Sequence, residues 1–380
     1  LDTTYINTIG VVFLVAVGLA ISVGYLYISE EDMRSVAEEA ALAGTQEIKK
    51  QMLAQIRSNP ARLADVTGDT MQAAARSTAE TQSMGRHKEA ALTHAISNNS
   101  NKLSDGNDVT VGFWNISTHT YVPGATPVNA MQVRTRRTAE SDAAGIGKIG
   151  NLLGIINGVQ KFDYTPDAVA ALPARANASF GLCMEACESR CSYPAICSFD
   201  EKKLSSTITG NVIAPGEGPA TTFFPYQYNT NMSTSDLICM GTPPLDICKK
   251  EVFTGSDAQD NALRDMKSMM YNPNADVTNK EIDKTSGKIL GWWVIAPVTD
   301  CSTTQASTIL KRLVKRYALV RIKRICVPGR TGCQQNQTSF DSPASVCGNE
   351  KGVFIDRISC VNCNTKDLLT FPGLNPILVN

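Results

Sequence analysis

Residues 9–28 read IGVVFLVAVGLAISVGYLYI, twenty positions without a charge. At about 1.5 Å per residue such a helix is about 30 Å long, the thickness of a bilayer's hydrocarbon core. The run exceeds the apolar core of a secretory signal and is expected to stay in the mature protein. Lipid or the packed helices of a filament would then surround it. Beyond it the pattern changes. Met33, Ala37, Ala40, Gly44, Ile48, Met52 and Ile56 recur at three- or four-residue spacing, which places them on one helix face. No proline lies near the join, so the two patterns predict one long helix, closed by Pro60. A second helix is predicted over 65–97, with an Ala-rich stripe of Met71, Ala75, Met84, His87, Ala91, Leu92 and Ile96.

Alternation then replaces helical spacing. Val109, Val111 and Phe113 share one face of a predicted strand with Trp114 on the other, and Met131 and Val133 repeat the pattern within 129–137. Residues 145–159 read as a short Gly- and Ile-rich helix. Gly, Pro, Ser and Thr dominate 205–245 and predict strands and loops. A short helix is expected over 257–271. GWWVIAPV at 291–298 is a continuous apolar run and predicts a buried strand. A second strand is expected at 314–326. There Val314, Ala318, Val320, Ile322 and Cys326 alternate with Lys315, Tyr317, Arg321 and Lys323. The tail after Cys363 looks extended. The expected class is α+β: a long hydrophobic and amphipathic spine helix (1–58), a small α+β unit (59–178) and a disulfide-stapled β-rich head (179–380).

Cysteine usage sharpens this picture. All twelve lie in the last expected unit, at Cys183, Cys187, Cys191, Cys197, Cys239, Cys248, Cys301, Cys326, Cys333, Cys347, Cys360 and Cys363. An even count behind an apolar helix predicts disulfides formed outside the cytoplasm. Topology agrees. Glu30, Glu31 and Asp32 follow the apolar run before the first basic residue, Arg34, so the large C-terminal part is expected outside. The four-residue spacing of Cys183, Cys187 and Cys191 would line them on one helix face, each reaching a different partner, because neighbours there stand about 5–6 Å apart. Cys360 and Cys363 form a Cys-x-x-Cys, read here as structural rather than redox or zinc-binding. Cys301–Cys326 is the expected pairing, since the two flank adjacent predicted strands.

Candidate chemistry is sparse. Lys+Arg and Asp+Glu balance at 36 each, which argues against a nucleic-acid binder. Only three histidines occur, His87, His94 and His119, limiting histidine catalysis and ligation. No nucleophile elbow, phosphate loop, zinc helix or calcium loop is present. The run 311–324 holds seven basic residues in fourteen. It reads as a solvated strand face with acidic neighbours supplied by the fold, in preference to a polyanion contact.

The Ala-rich stretch Ser35-Val36-Ala37-Glu38-Glu39-Ala40-Ala41-Leu42-Ala43-Gly44 directly after the apolar run at 11–27 resembles the TadE/TadG-like group of Tad (Flp) pilus-assembly proteins. The stretch 129–134 (NAMQVR) is similar to that family's strand. So, more loosely, are Ala296-Pro297-Val298 and 317–322. The resemblance implies a surface protein tied to an adhesive pilus, without catalysis or cofactor. Two departures stand out. Type IV pilins carry Glu at the fifth mature position, where this chain has Tyr5, and the nearest acid is Asp2. The von Willebrand-type metal motif of some TadG-like proteins is degraded at Asp300-Cys301-Ser302-Thr303-Thr304, so no metal site is expected.

The reading that follows is a structural subunit of an extracellular filament, a helical homopolymer that sits in the inner membrane before assembly and meets other pilus proteins. Its assembly interface is expected at Ile9, Phe13, Val17, Gly18, Leu19, Val23, Tyr27, Met33, Ala37, Ala40, Gly44 and Ile48. The alternative is a membrane-anchored pilus-assembly protein or adhesin that does not polymerise. No catalytic, cofactor or metal residue is nominated.

Overall fold

The computed structural model describes residues 3–58, 109–135, 138, 148–150, 161–204, 223–227, 234–239, 246–255, 259–272, 277–301, 309–328, 333, 347–348 and 350–379. The class is α+β, as expected. The chain forms two compact units: Leu1–Gln51, Thr67–Leu172 and Pro376–Asn380 make the first, and Met52–Val66 with Pro173–Asn375 the second.

In the first unit, helix α1 (Thr3–Ser58) runs 56 residues without a break. Nothing in its sequence stops it: no proline occurs, and Ala, Leu, Glu, Lys and Gln, all good helix formers, fill its second half. The predicted stripe is buried at every position from Met33 to Ile56. Beside it lies an antiparallel sheet of β1 (Val109–Asn115), β2 (Thr120–Pro123), β3 (Ala130–Arg134), β6 (Asp167–Ala171) and β15 (Ile377–Val379), ordered β15-β6-β3-β1-β2. The register sets Val109 against Val133 and Val111 against Met131. It sets Met131 against Ala170 and Val133 against Ala168. All six are buried, and paired residues share a face. Two hydrogen bonds tie this sheet to α1. Thr135 Oγ1 donates to Met33 O (3.2 Å) and Thr45 Oγ1 to Ala170 O (3.2 Å). Gly112 permits the β1–β2 approach, since a Cβ there would stand 2.2 Å from Val122 O.

A two-residue ladder joins β4 (Ile149–Gly150) to β5 (Lys161–Phe162). This corrects the helix expected over 145–159 at its only described positions. The predicted helix at 65–97 lies outside the described residues. The tail is not simply extended: α4 (Asp367–Thr370) forms a short turn before β15.

The second unit is built on β12 (Ile289–Thr299) and β13 (Ile309–Cys326), the two strands predicted from apolar run and alternation. Strand β13 begins five residues earlier than expected. The remaining elements are β7 (Phe180–Cys183), β8 (Cys197–Leu204), β9 (Phe223–Gln227), α2 (Thr234–Cys239), β10 (Glu251–Gly255), α3 (Gln259–Tyr271), β11 (Lys280–Ile282) and β14 (Gly352–Asn362). Strand pairing closes on itself: β12 pairs with β7, β7 with β9, β9 with β10, β10 with β13 and β13 with β12. Closure leaves none of β7, β9 and β10 as an edge strand, and β11 and β8 end the sheet. At one gap along β12 a side chain completes the ladder: Asn177 Oδ1 accepts the Ile295 N–H (2.6 Å), and Ile295 O accepts from Ala178 N (3.0 Å).

Helix α3 covers one face of this sheet. Its Ala262, Leu263, Met266 and Met270 join Phe180, Trp292, Val294, Ala296, Val298, Ala318 and Val320 in one core. Buried Lys280 holds the C-terminal end of α3, donating to Met269 O (2.6 Å) and Asn272 O (2.7 Å). These are carbonyls that the helix leaves without an internal partner. The end of α1 is met in the same way. Arg357 Nη1 donates to Ile56 O (2.7 Å), setting a cation at the negative end of the helix.

Ala40 is fully buried and Ala54 exposed. Ala40→Leu is therefore expected to overpack unit 1 and destabilise it by about 1–3 kcal/mol. Ala54→Leu should stay within about 0.5 kcal/mol. Thermal unfolding of both variants checks this.

Candidate assembly surface

The apolar half of α1 carries the largest apolar exposure among the described residues. Phe13 is 65% exposed, Leu14 70%, Leu19 53%, Val23 57% and Tyr27 66%. Most residues from Val12 to Ile28 are exposed, apart from Gly24 and a line through Gly18, Ser22 and Leu26 that are half-buried or buried. A patch of this size on a water-facing protein marks a surface that something else covers. One helix among the described residues is long and apolar enough to cross a membrane, and it lies within Val12–Ile56. Just above the apolar run, the Tyr164 hydroxyl donates to the Glu30 carboxylate.

The expected interface divides in two. Phe13, Val17, Leu19, Val23 and Tyr27 are exposed and Gly18 is half-buried. The Ile9 side chain lies outside the described residues. Met33, Ala37, Ala40, Gly44 and Ile48 are instead buried within the chain itself. These five positions of the expected interface are therefore already covered in the single chain. The stripe above residue 30 has its cover within its own chain, and the surface left over is about one bilayer in length.

All twelve cysteines are paired: Cys183–Cys301, Cys187–Cys360, Cys191–Cys197, Cys239–Cys333, Cys248–Cys363 and Cys326–Cys347. Cys183, Cys187 and Cys191 do reach three different partners. They do so from the end of β7 and two 3-10 turns (Met184–Ala186 and Ser189–Cys191), not from an α-helix. The Cys301–Cys326 pairing is wrong, because the parallel β7–β12 contact sets Thr299 beside Cys183 and so delivers Cys301 to Cys183. Cys360 and Cys363 bind separate partners, in keeping with a structural role. The Tyr317 hydroxyl braces one crosslink, accepting N–H groups from Ile247 (2.8 Å) and Cys248 (2.9 Å). Burial drives this phenol's pKa above its ordinary value.

The basic run is met by acids from other elements. Lys315 pairs with Asp300 (3.2 Å) and Lys311 with Glu251 (3.8 Å). Arg324 pairs with Glu201 (2.7 Å) and Glu350 (2.5 Å) and stacks over Phe354, 4.0 Å from its centroid. Those carboxylates hold the Arg324 pKa above its usual range. With Asp300 on Lys315 and Cys301 in a disulfide, the described part of the degraded metal motif has structural work.

One cluster is partly buried, with Glu281 and Trp293 buried and Arg321 and Asp356 half-buried. Arg321 pairs with Glu281 (2.6 Å) and with Asp356, and Trp293 Nε1 donates to Glu281 Oε1 (2.6 Å). Asp356 is the extra residue of a β-bulge, since Arg321 faces Arg357 and Ile322 faces Ile355. The bulge re-aims its carboxylate towards Arg321. Burial raises the Asp356 pKa and Arg321 opposes this. A Cβ at Gly291 would stand 2.8 Å from Arg321 Cζ, so the glycine leaves the guanidinium its room. No sequence spacing pointed to this trio. The lone signal was an arginine at a position where alternation called for a solvated residue.

Arg321→Met leaves the buried Glu281 and the half-buried Asp356 without their cation. It is expected to cost about 3–5 kcal/mol, whereas Lys311→Met at an exposed pair should cost less than about 1 kcal/mol. Denaturant titration in detergent compares the two.

Residues 8–54 match the family model for putative Flp pilus-assembly TadE/G-like proteins, and residues 61–170 match that for putative Tad-like Flp pilus assembly. The resemblance carried by the Ser35–Gly44 signature is thus shown, and both matches lie ahead of the first cysteine. Searches of curated proteins and of solved structures returned no match.

Proposed function

We propose that this chain, whose first 170 residues are similar to Tad-type Flp pilus-assembly proteins, is a structural envelope component of that system, held by one membrane-spanning helix at 9–28. The observation that carries the reading is the exposure of apolar side chains on most sides of the helix from Val12 to Ile28, ending where the chain's own cover begins. A bilayer contacts a helix from all sides, and about 20 apolar residues satisfy its hydrocarbon core. Six disulfides support a second unit that folds in an oxidising space outside the cytoplasm. The acidic flank Glu30–Asp32 agrees with that orientation. The role is mechanical: to hold a crosslinked head at the envelope beside other pilus components, with no catalytic step.

The second reading is a polymerising subunit that uses the same helix in a filament core. It is favoured by the unbroken passage of α1 from its apolar half into a folded unit, which makes a rigid spine. In a filament the exposed positions Phe13, Val17, Leu19, Val23 and Tyr27 would meet other copies through contacts that do not close.

Cell fractionation separates the two. The anchored protein is expected in the membrane pellet after alkaline wash, soluble only in detergent and absent from sheared surface filaments. Recovery in sheared filaments would overturn the anchored reading in favour of the subunit. Val17→Asp sets a charge in the apolar run, costing about 2.5–3.5 kcal/mol of insertion at a helix centre, and should lower the membrane-bound fraction.

A further inference from the structure

The six disulfides are not equally protected. Five of them include at least one buried sulfur residue, at Cys183, Cys187, Cys191, Cys326, Cys360 or Cys363. Only in Cys239–Cys333 are both members half-buried. The same pair has a carboxylic acid beside it. Asp265, on α3, is 3% exposed, and one carboxylate oxygen and the two sulfurs all lie within 4.8 Å of one another. Ser235 Oγ, on α2, donates to Asp265 Oδ2 (2.7 Å) and fixes its direction. Joined to each other, these sulfurs are not thiolate ligands for a metal. The grouping is an acid next to an accessible disulfide.

We propose that Cys239–Cys333 is a thiol–disulfide exchange site for an external dithiol, with the Asp265 carboxyl as proton donor to the departing sulfur. The chemistry follows from access and charge. Exchange requires a thiolate to reach one sulfur and a second thiolate to leave. In four of the other disulfides, attack on the more open sulfur expels a thiolate into a buried position, where an unpaired charge is disfavoured. In Cys187–Cys360 neither member is open. At Cys239–Cys333 both residues are half-buried rather than buried, and whichever sulfur departs is close to Asp265. Burial raises the pKa of that carboxyl, against the Ser235 hydrogen bond, so a proton is held where it is needed.

The steps balance. One sulfur of the dithiol, as thiolate, forms a bond to Cys239 or Cys333 while the protein S–S bond breaks. The departing sulfur takes the Asp265 proton. The second sulfur of the dithiol then displaces the first cysteine, and the carboxylate regains a proton from the dithiol or water. The dithiol leaves as a disulfide, and the protein gains two electrons and two protons as a pair of thiols. Opening releases the end of α2 from residue 333.

The test uses the full chain in detergent, exposed briefly to dithiothreitol, quenched with an alkylating agent and mapped by peptide mass. Cys239 and Cys333 are expected to be labelled several-fold ahead of the other ten cysteines. Asp265→Asn should slow that opening several-fold while Asp265→Glu retains it. Prior opening of any other pair, or release of all six together, would overturn the proposal. So would equal slowing by both Asp265 variants, which would assign the residue to packing.

Discussion

An apolar helix has to be covered along its whole length, and helix α1 solves this in two ways. Its upper half carries a narrow stripe of small and medium residues, which suits a partner of fixed shape, and Met33 to Ile56 are buried within the protein. Its lower half is apolar on nearly every side. No single sheet can cover such a helix, whereas a fluid or symmetric surrounding can. The transition falls near Glu30, where the first acids appear. The amphipathic and fully apolar patterns thus divide one rigid rod between a folded unit and an outside medium.

The Cys-bearing unit depends on a different constraint. Its long strands carry charged residues at many outward positions, and the Lys- and Arg-rich run of β13 would repel itself if left alone. Acids from β8, β10, β11 and β14 answer it residue by residue. The Lys311–Glu251 pair is exposed and contributes little individually. The Arg321 trio is different. Its charges are desolvated, so their geometry must be satisfied, and this ties β11, β12, β13 and β14 into one register. The disulfides act on the other side of the folding equilibrium by restricting the unfolded chain. The longest separation, 173 residues at Cys187–Cys360, restricts it most in the loop-entropy account.

Crosslinks and closed strand pairing both limit how far the Cys-bearing unit can open. They also confine reactivity. When five pairs have a buried member, the proposed exchange is left to the one pair whose two residues are both half-buried. Position in the fold, not cysteine count, decides which crosslink answers to a thiol.

The sequence by itself determined whatever depends on neighbours along the chain. The uncharged run at 9–28, the stripe from Met33 to Ile56, the helix ending at Tyr271 and the strand through Trp292 and Trp293 were all readable, because each is written in local periodicity. The Ala-rich signature pointed to the pilus-assembly family models that match 8–54 and 61–170 for the same reason. Tertiary structure decided what depends on distant residues. It assigned the Met33–Ile48 stripe to burial within the chain, since amphipathicity states that a face is buried without stating by what. It sent Cys301 to Cys183, because a parallel strand contact 118 residues long in sequence leaves no trace in spacing. It turned Asp356 towards Arg321 through a bulge, because one extra residue in a strand moves a side chain across the sheet while the alternation that precedes it looks unchanged.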